Sequence, residues 1–359
     1  MKIAQLSPLY ESVPPKLYGG TERVVSILTE GLVRNGHDVT LYASGDSETS
    51  ARLIPVCREA LRLNDIKDPC ADHLLQLSMV YDHADEFNLI HSHVDYFTFP
   101  FAQKSATPTV TTLHGRLDTP ELQGIHRYYK SHPLISISHT QRIPFPFANW
   151  VGTVHHGLPI ERYLFYPKPG KYLAFLGRIA PEKRPDIAIA IAQKTGIPLK
   201  IAAKVSAQDR DYFETVIRPL LNPPWVEFIG EIAEHEKNAF LGEALALLFP
   251  IDWPEPFGLV MIESLACGTP VIARPCGSVN ELLSPGKTGF IHSELEDLVQ
   301  AVERIGEVSR KGCREYFESA FSAETMVSRY ERIYEDLLAL RNKPLSVDAL
   351  ADDELAEAA

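Results

Sequence analysis

Positive charge is in short supply in this chain. Its 359 residues carry 35 Lys and Arg against 47 Asp and Glu, a formal net charge of -12. Counterion release on nucleic acid or anionic lipid needs clustered cations, so nucleic acid is not expected as a partner. Cysteine is also sparse. Cys57, Cys70, Cys267, Cys276 and Cys313 form no CxxC pair and are odd in number, which argues against a disulfide framework and for reduced thiols in a cytoplasmic setting. No stretch approaches the about 18 to 20 apolar residues that span a bilayer. The opening MKIAQLSPLY meets Pro8 before an apolar run of leader length, so neither a transmembrane segment nor a secretory signal is expected. Peripheral contact with a membrane-borne acceptor stays open. A GxSxG nucleophile elbow is missing as well, and no cysteine has the context of a nucleophile.

What is present is an ordinary globular composition, 45% hydrophobic and 23% charged. The length exceeds what one core usually serves, so two domains are expected. The first half alternates β-rich runs with helical patterns. KIAQLSP (2–8) reads as a strand, Thr21 as the cap of a helix with Val24, Val25, Leu28 and Leu32 on one face, and HDVTLYAS (37–44) as the next strand. FNLIHSHV (87–94), TPTVTTLH (107–114), HPLISIS (132–138) and VGTVHHG (151–157) continue the series, their apolar character suiting parallel strands covered on both faces. The stretch 158–171 holds three prolines and a glycine without periodicity and reads as a linker. Beyond it YLAFLG (172–177), LKIAAK (199–204), VEFIG (226–230), LALLFP (245–250) and PVIA (270–273) restart the pattern. Two successive βα series predict an α/β protein of two Rossmann-like, doubly wound domains, residues 1–160 and 161–322, facing across a cleft. A helix over 323–341 and an acidic, disordered tail over 342–359 complete the chain.

Ligands of open α/β sheets bind beyond the carboxyl ends of the strands, which singles out four loops. YGGTE (18–22) places Gly19 and Gly20 at a helix start, either a plain turn or a place where phosphate approaches the backbone. GRIAPEKRPD (177–186) sets Arg178, Lys183 and Arg184 at the cleft mouth, as solvated surface charge or as a grip on a diphosphate. His114 stands at the carboxyl end of an expected strand, where it is a structural residue or one that faces the cleft. Around EPFGLVMIE (255–263), Pro254, Pro256 and Gly258 put Glu255 on a loop and Glu263 inside a helix. The amides of Phe257, Gly258 and Leu259 between them form an anion-ready helix start. HSH (91–93) and HH (155–156) lack the spacing that completes a metal site, and no metal is expected.

GG at 19–20, GRIAPEK at 177–183, and EPFGLVMIE followed by SLACGTPVIA at 264–273 together resemble the retaining, family 4 (group 1) glycosyltransferases of the GT-B fold. The resemblance covers most of residues 1–341. It implies an enzyme that moves a sugar from a nucleoside diphosphate, a UDP-sugar by preference, to an acceptor hydroxyl of a glycan, lipid or small molecule. No cofactor is implied beyond the nucleotide-sugar substrate. It implies an acceptor side in residues 1–160 and a donor side in 161–322. Glu263 would hold the ribose, Glu255 the transferred sugar, and Arg178 and Lys183 the diphosphate with Gly19, Gly20 and the amides of Phe257 to Leu259. His114 would lie near the donor sugar and Gly230 near the base. His156-Gly157 and Arg184-Pro185 depart from the family text and leave substrate details open. A glycoside hydrolase would have no use for the phosphate grip. A nucleotide-sugar epimerase and a non-catalytic sugar-nucleotide binder are the remaining alternatives.

Overall fold

The computed structural model describes residues 1–16, 19–63, 68–222 and 225–341. Tyr18 of the Gly-Gly motif and the acidic tail lie outside the described residues. The chain forms two open parallel sheets. Strands β1 (Lys2–Leu6), β2 (Asp38–Ala43), β3 (Arg52–Pro55), β4 (Leu89–Ser92), β5 (Thr109–Thr112), β6 (Leu134–Ser136) and β7 (Trp150–Thr153) line up as β3-β2-β1-β4-β5-β6-β7. Strands β8 (Tyr172–Arg178), β9 (Leu199–Lys204), β10 (Val226–Gly230), β11 (Ala244–Phe249), β12 (Val271–Ala273) and β13 (Gly289–Ile291) line up as β10-β9-β8-β11-β12-β13. Each order reverses beside its first strand, β1 or β8, which is where a doubly wound sheet opens a crevice. Strands β3 and β13 have no counterpart in the sequence reading. The first is a partly exposed edge strand ending in proline, and the second has only three residues, so neither makes an apolar run long enough to stand out.

The longer helices are α1 (Gly20–Arg34), α2 (Pro69–Tyr81), α3 (Pro185–Thr195), α4 (Leu259–Ala266), α5 (Leu295–Glu303), α6 (Arg310–Ala320) and α7 (Ala323–Arg341). Val24, Val25, Leu28 and Leu32 of α1 are buried, as their spacing requires. The expected cap at Thr21 is corrected. The amide of Arg23 bonds the carbonyl of Gly19 at 3.2 Å, so the first helical hydrogen bond makes Gly19 the cap, and no side chain caps the helix.

Helix α7 returns to the amino-terminal domain. Tyr330 and Tyr334 are wholly buried, and Glu331 accepts from Asn35 and pairs with His37, both at 2.9 Å. A side chain at Gly31 would collide with Val327, so this glycine lets α1 and α7 approach closely. The two crossings between domains are tied together. Leu158 donates to the carbonyl of Phe321 and accepts from Ala323, each at 2.9 Å, and any Cβ at Gly157 would strike the carbonyl of Ser322. Near them Glu281 receives the backbone amides of His139 and Thr140 at 2.7 Å and faces His155 at 3.3 Å. Burial pushes its carboxyl up, but these hydrogen bonds win and hold it at about 2.

Candidate functional site

A cleft of about 580 Å³ lies between the two sheets, at the carboxyl ends of their strands. Gly19, Gly20, His114, Arg178, Lys183, Glu255, Phe257, Gly258, Leu259 and Glu263 all line it. Gly230 does not. Its backbone turns through a left-handed φ of 81° and delivers Glu231 and Ile232 to the lining instead. Arg184 is also absent from the lining: it turns to Asp186 at 2.8 Å and Asp252 at 3.1 Å, so the sequence-based grouping with Arg178 and Lys183 is corrected.

The two glutamates are placed as their local text dictates, Glu255 on the loop after β11 and Glu263 inside α4. Gly258 stands between them as the cap of α4 at φ 87°, a conformation that a side chain would strain. Each carboxylate is gripped by one oxygen. Glu255 Oε2 receives Lys183 Nζ and, at 3.0 Å, the indole N–H of Trp253. Glu263 Oε1 receives Arg23 at 2.8 Å, Lys237 at 3.1 Å and the Tyr163 hydroxyl at 3.4 Å. The opposite oxygens, Glu255 Oε1 and Glu263 Oε2, take none of these bonds. Burial by itself would raise the Glu263 carboxyl, and Lys237 and Arg23 outweigh it, holding this group below the usual carboxylate range.

The cations of the same wall are largely committed. Arg178 donates to Asp209 at 2.7 Å and to Glu182, and Lys183 lies 4.5 Å from the Trp253 ring centre besides meeting Glu255. Lys204, beside Arg178 in the β8–β9 register, lines the cleft with no carboxylate partner among the described residues.

The floor under the amino-terminal sheet is built differently. His93 Nδ1 meets His114 Nε2 at 2.9 Å, and His93 Nε2 meets Gln5 Oε1 at 2.9 Å. Gln5 Nε2 donates to the Tyr334 hydroxyl, which lies 2.6 Å from His91 Nδ1, and His91 Nε2 lies 2.7 Å from Thr112 Oγ1. Thr112 donates to Tyr330. An amide oxygen only accepts, so His93 carries its proton on Nε2 and, when neutral, accepts from His114 Nε2–H. Thr112 gives its proton to Tyr330 and therefore accepts from His91. Every link then runs one way, from His114 through His93, Gln5, Tyr334, His91 and Thr112 to Tyr330. Burial keeps these imidazoles uncharged: His91 and His93 lie well below their ordinary range and His114 falls to about 3. His156 stacks on His114 at 5.3 Å and 17° and contacts Phe257 at 4.6 Å.

Sequence reading missed Arg23, Lys237, Lys204 and the hydrogen-bonding role of the HSH segment. One signal was available for Arg23. A cation in the first turn of a helix opposes the helix dipole, so its presence calls for an anionic partner elsewhere. Lys204 could have been found by the rule used for the other loops, since it ends β9. Nothing local marks the other two. Among the described residues, no group of three or more His, Cys, Asp or Glu is placed to hold a metal ion.

Comparison with known proteins follows the same division. A family model described as Glycosyl transferases group 1 matches residues 162–318, and one described as Glycosyltransferase Family 4 matches residues 18–143. A D-inositol 3-phosphate glycosyltransferase of Rhodococcus erythropolis is 30% identical over 186 residues, 46% of this chain and 42% of that protein. The chain spans about half the length of the curated relatives of that kind, 42 to 53%. Among solved structures, sucrose-phosphate synthase from Thermosynechococcus elongatus superposes with a TM-score of 0.77 at 18% identity, covering 95% of this chain and 100% of that one. Anabaena HepE in complex with UDP-glucose gives 0.69 at 18% identity, covering 94% and 100%. These likenesses give the fold as GT-B.

Proposed function

The chain belongs to family 4 of the glycosyltransferases with the GT-B fold, and from that premise we propose that it transfers a sugar from a nucleoside diphosphate to an acceptor hydroxyl. The observation that carries the reading is the wall between Glu255 and Glu263. It presents two carboxylates, each anchored by one oxygen, on either side of a helix start, with Lys183, Arg178 and Lys204 beside it. A nucleotide sugar has hydroxyls at both ends and anionic charge in the middle. In this reading Glu263 Oε2 takes the ribose, Glu255 Oε1 takes hydroxyls of the transferred sugar, and the cations and the amides of Phe257 to Leu259 take the diphosphate. Gly19 and Gly20 approach the phosphates from the opposite wall, and the segment around Gly230 to Ile232 meets the base.

The bond that breaks joins the anomeric carbon to the leaving phosphate oxygen. The bond that forms joins that carbon to the acceptor oxygen, on the same face, so configuration is retained. Negative charge grows on the phosphate as the bond lengthens, and Lys183, Arg178 and the α4 amides stabilise that state more than the ground state. The leaving phosphate takes the acceptor proton, and no protein carboxylate attacks the sugar. His114 is neutral and held by His93, which suits orientation of the sugar rather than proton donation. A UDP-sugar is the preferred donor, in line with the UDP-glucose held by Anabaena HepE. The five cysteines are free, in keeping with work in the cytoplasm.

The test is to incubate the purified protein with UDP-, GDP- and ADP-sugars, with and without sugar, polyol and lipid acceptors, and to measure nucleotide release. Release that rises with one acceptor is expected. Failure of every nucleotide sugar to bind at about millimolar concentration, where even weak ligands register, would sink the proposal.

A further inference from the structure

Arg23 belongs to the amino-terminal domain but finds its partners in the other one. Its guanidinium crosses from the first turn of α1 to Glu263 Oε1 at 2.8 Å and to Glu234 Oε2 at 2.5 Å. Lys237 reaches the same two carboxylates, at 3.1 and 3.0 Å. Two cations and two anions therefore alternate in a closed ring that spans the cleft. The Arg23–Glu263 contact is buried, with Glu263 2% exposed and the Arg23 side chain 11%, so solvent screens it little, whereas Glu234 on the outer side of the ring is 44% exposed. The start of α1 also touches the start of α4, since a Cβ at Gly20 would lie 3.6 Å from Leu259 Cδ1.

A cation on a ligand-binding carboxylate can either block it or aim it. The contact pattern favours aiming. Arg23, Lys237 and Tyr163 all converge on Oε1, and Oε2 receives none of them. A planar guanidinium that also holds Glu234 fixes the carboxylate plane, which a single ammonium would not. We propose that Arg23 is a positioning residue for the nucleotide: it fixes Glu263 from the opposite domain, so that donor binding and closure of the cleft are coupled. This rests on the reading that Glu263 holds the ribose. The coupling is reciprocal, because a nucleotide that needs an ordered Glu263 favours the closed arrangement as much as closure favours the nucleotide.

The experiment is calorimetric titration of the intact protein with UDP, GDP and ADP, together with small-angle scattering with and without the nucleotide that binds. Wild type is compared with Glu263→Gln, Arg23→Ala, Arg23→Lys and Arg23→Ala/Glu263→Gln. Arg23→Ala is expected to weaken nucleotide binding about tenfold and to reduce the compaction that nucleotide induces. Arg23→Lys, which keeps the charge and guards against loss of fold, should recover only part of the affinity. The double variant should bind no worse than Glu263→Gln. Unchanged or tighter binding by Arg23→Ala would overturn the proposal, tighter binding marking Arg23 as a blocking latch. So would additive losses in the double variant. If Glu263→Gln binds as wild type does, the ribose assignment itself fails and the inference falls with it.

Discussion

The histidine chain behind His114 and the ion pairs around Glu255 and Glu263 are both buried polar networks, yet one carries no formal charge and the other consists of it. The neutral chain satisfies each donor with one acceptor and avoids the desolvation of ions. It can orient a ring but cannot answer a growing charge. The ionic wall bears the desolvation of buried carboxylates and cations, and in return its members can meet an anion. On the proposed reading this difference divides the labour of the cleft: position from the amino-terminal floor, charge from the carboxyl-terminal wall.

Acid should give the largest effect, because it acts on many groups of the neutral side at once. Burial pushes His91, His93 and His156 well below the usual imidazole range, His114 to about 3, and His126 and His132 to about 4. As pH falls through about 6.5, the unfolded chain binds protons that the folded imidazoles refuse, so stability is lost. Glu22, raised by burial to about 7, and Asp95, raised to about 6, act in the opposite sense because the folded chain protonates them first. The imidazoles outnumber them. The urea midpoint should therefore drop between pH 7 and pH 5, and a flat profile would mean that the histidines are charged in the folded protein.

The ionic wall is broken by Lys183→Met. It removes the cation proposed to face the leaving phosphate and deprives Glu255 Oε2 of its charged partner. By analogy with loss of one oxyanion donor, kcat should fall about 100- to 1000-fold. A loss confined to KM would place Lys183 in ground-state binding instead.

Parallel strands and the glutamate pair could be read from the sequence because their signals are local. Pro254, Pro256 and Gly258 lie within the very segment whose geometry they set, and β8 to β12 announce themselves as apolar runs between turns. The networks that finish the site are not local. Gln5 and Tyr334 are 329 residues apart, and Arg23 and Glu263 are 240 apart. The HSH segment could be weighed only as a metal motif, since its hydrogen-bond partners lie on β1, β5 and α7. Helix α7 itself gave a clear helical pattern and no hint of its destination. The close approach permitted by Gly31, the Arg34–Glu324 ion pair and the anchors at Asn35 and His37 seat it on α1.

The smallest effect expected on turnover comes from the neutral side, through His93→Leu. That change deletes the acceptor of His114 Nε2–H without altering any charge, and it separates His114 from Gln5 and α7. A loss of about 10- to 100-fold in kcat is expected, by analogy with removal of the partner that orients a metal-bound histidine. Nucleotide affinity should stay near the wild-type value, because the groups proposed to hold phosphate and ribose lie on the other wall. A purely structural role would lower stability and both constants together. Nitrogen-15 spectra of labelled histidine distinguish the cases: in the wild type His114 should be protonated at Nε2 alone, and in His93→Leu that preference should weaken. His93→Asn, whose side-chain oxygen can again accept from His114, should restore part of both the tautomer and the rate. A wild-type His114 protonated at Nδ1 would reverse the chain of donors and make His114, not Tyr330, its receiving end.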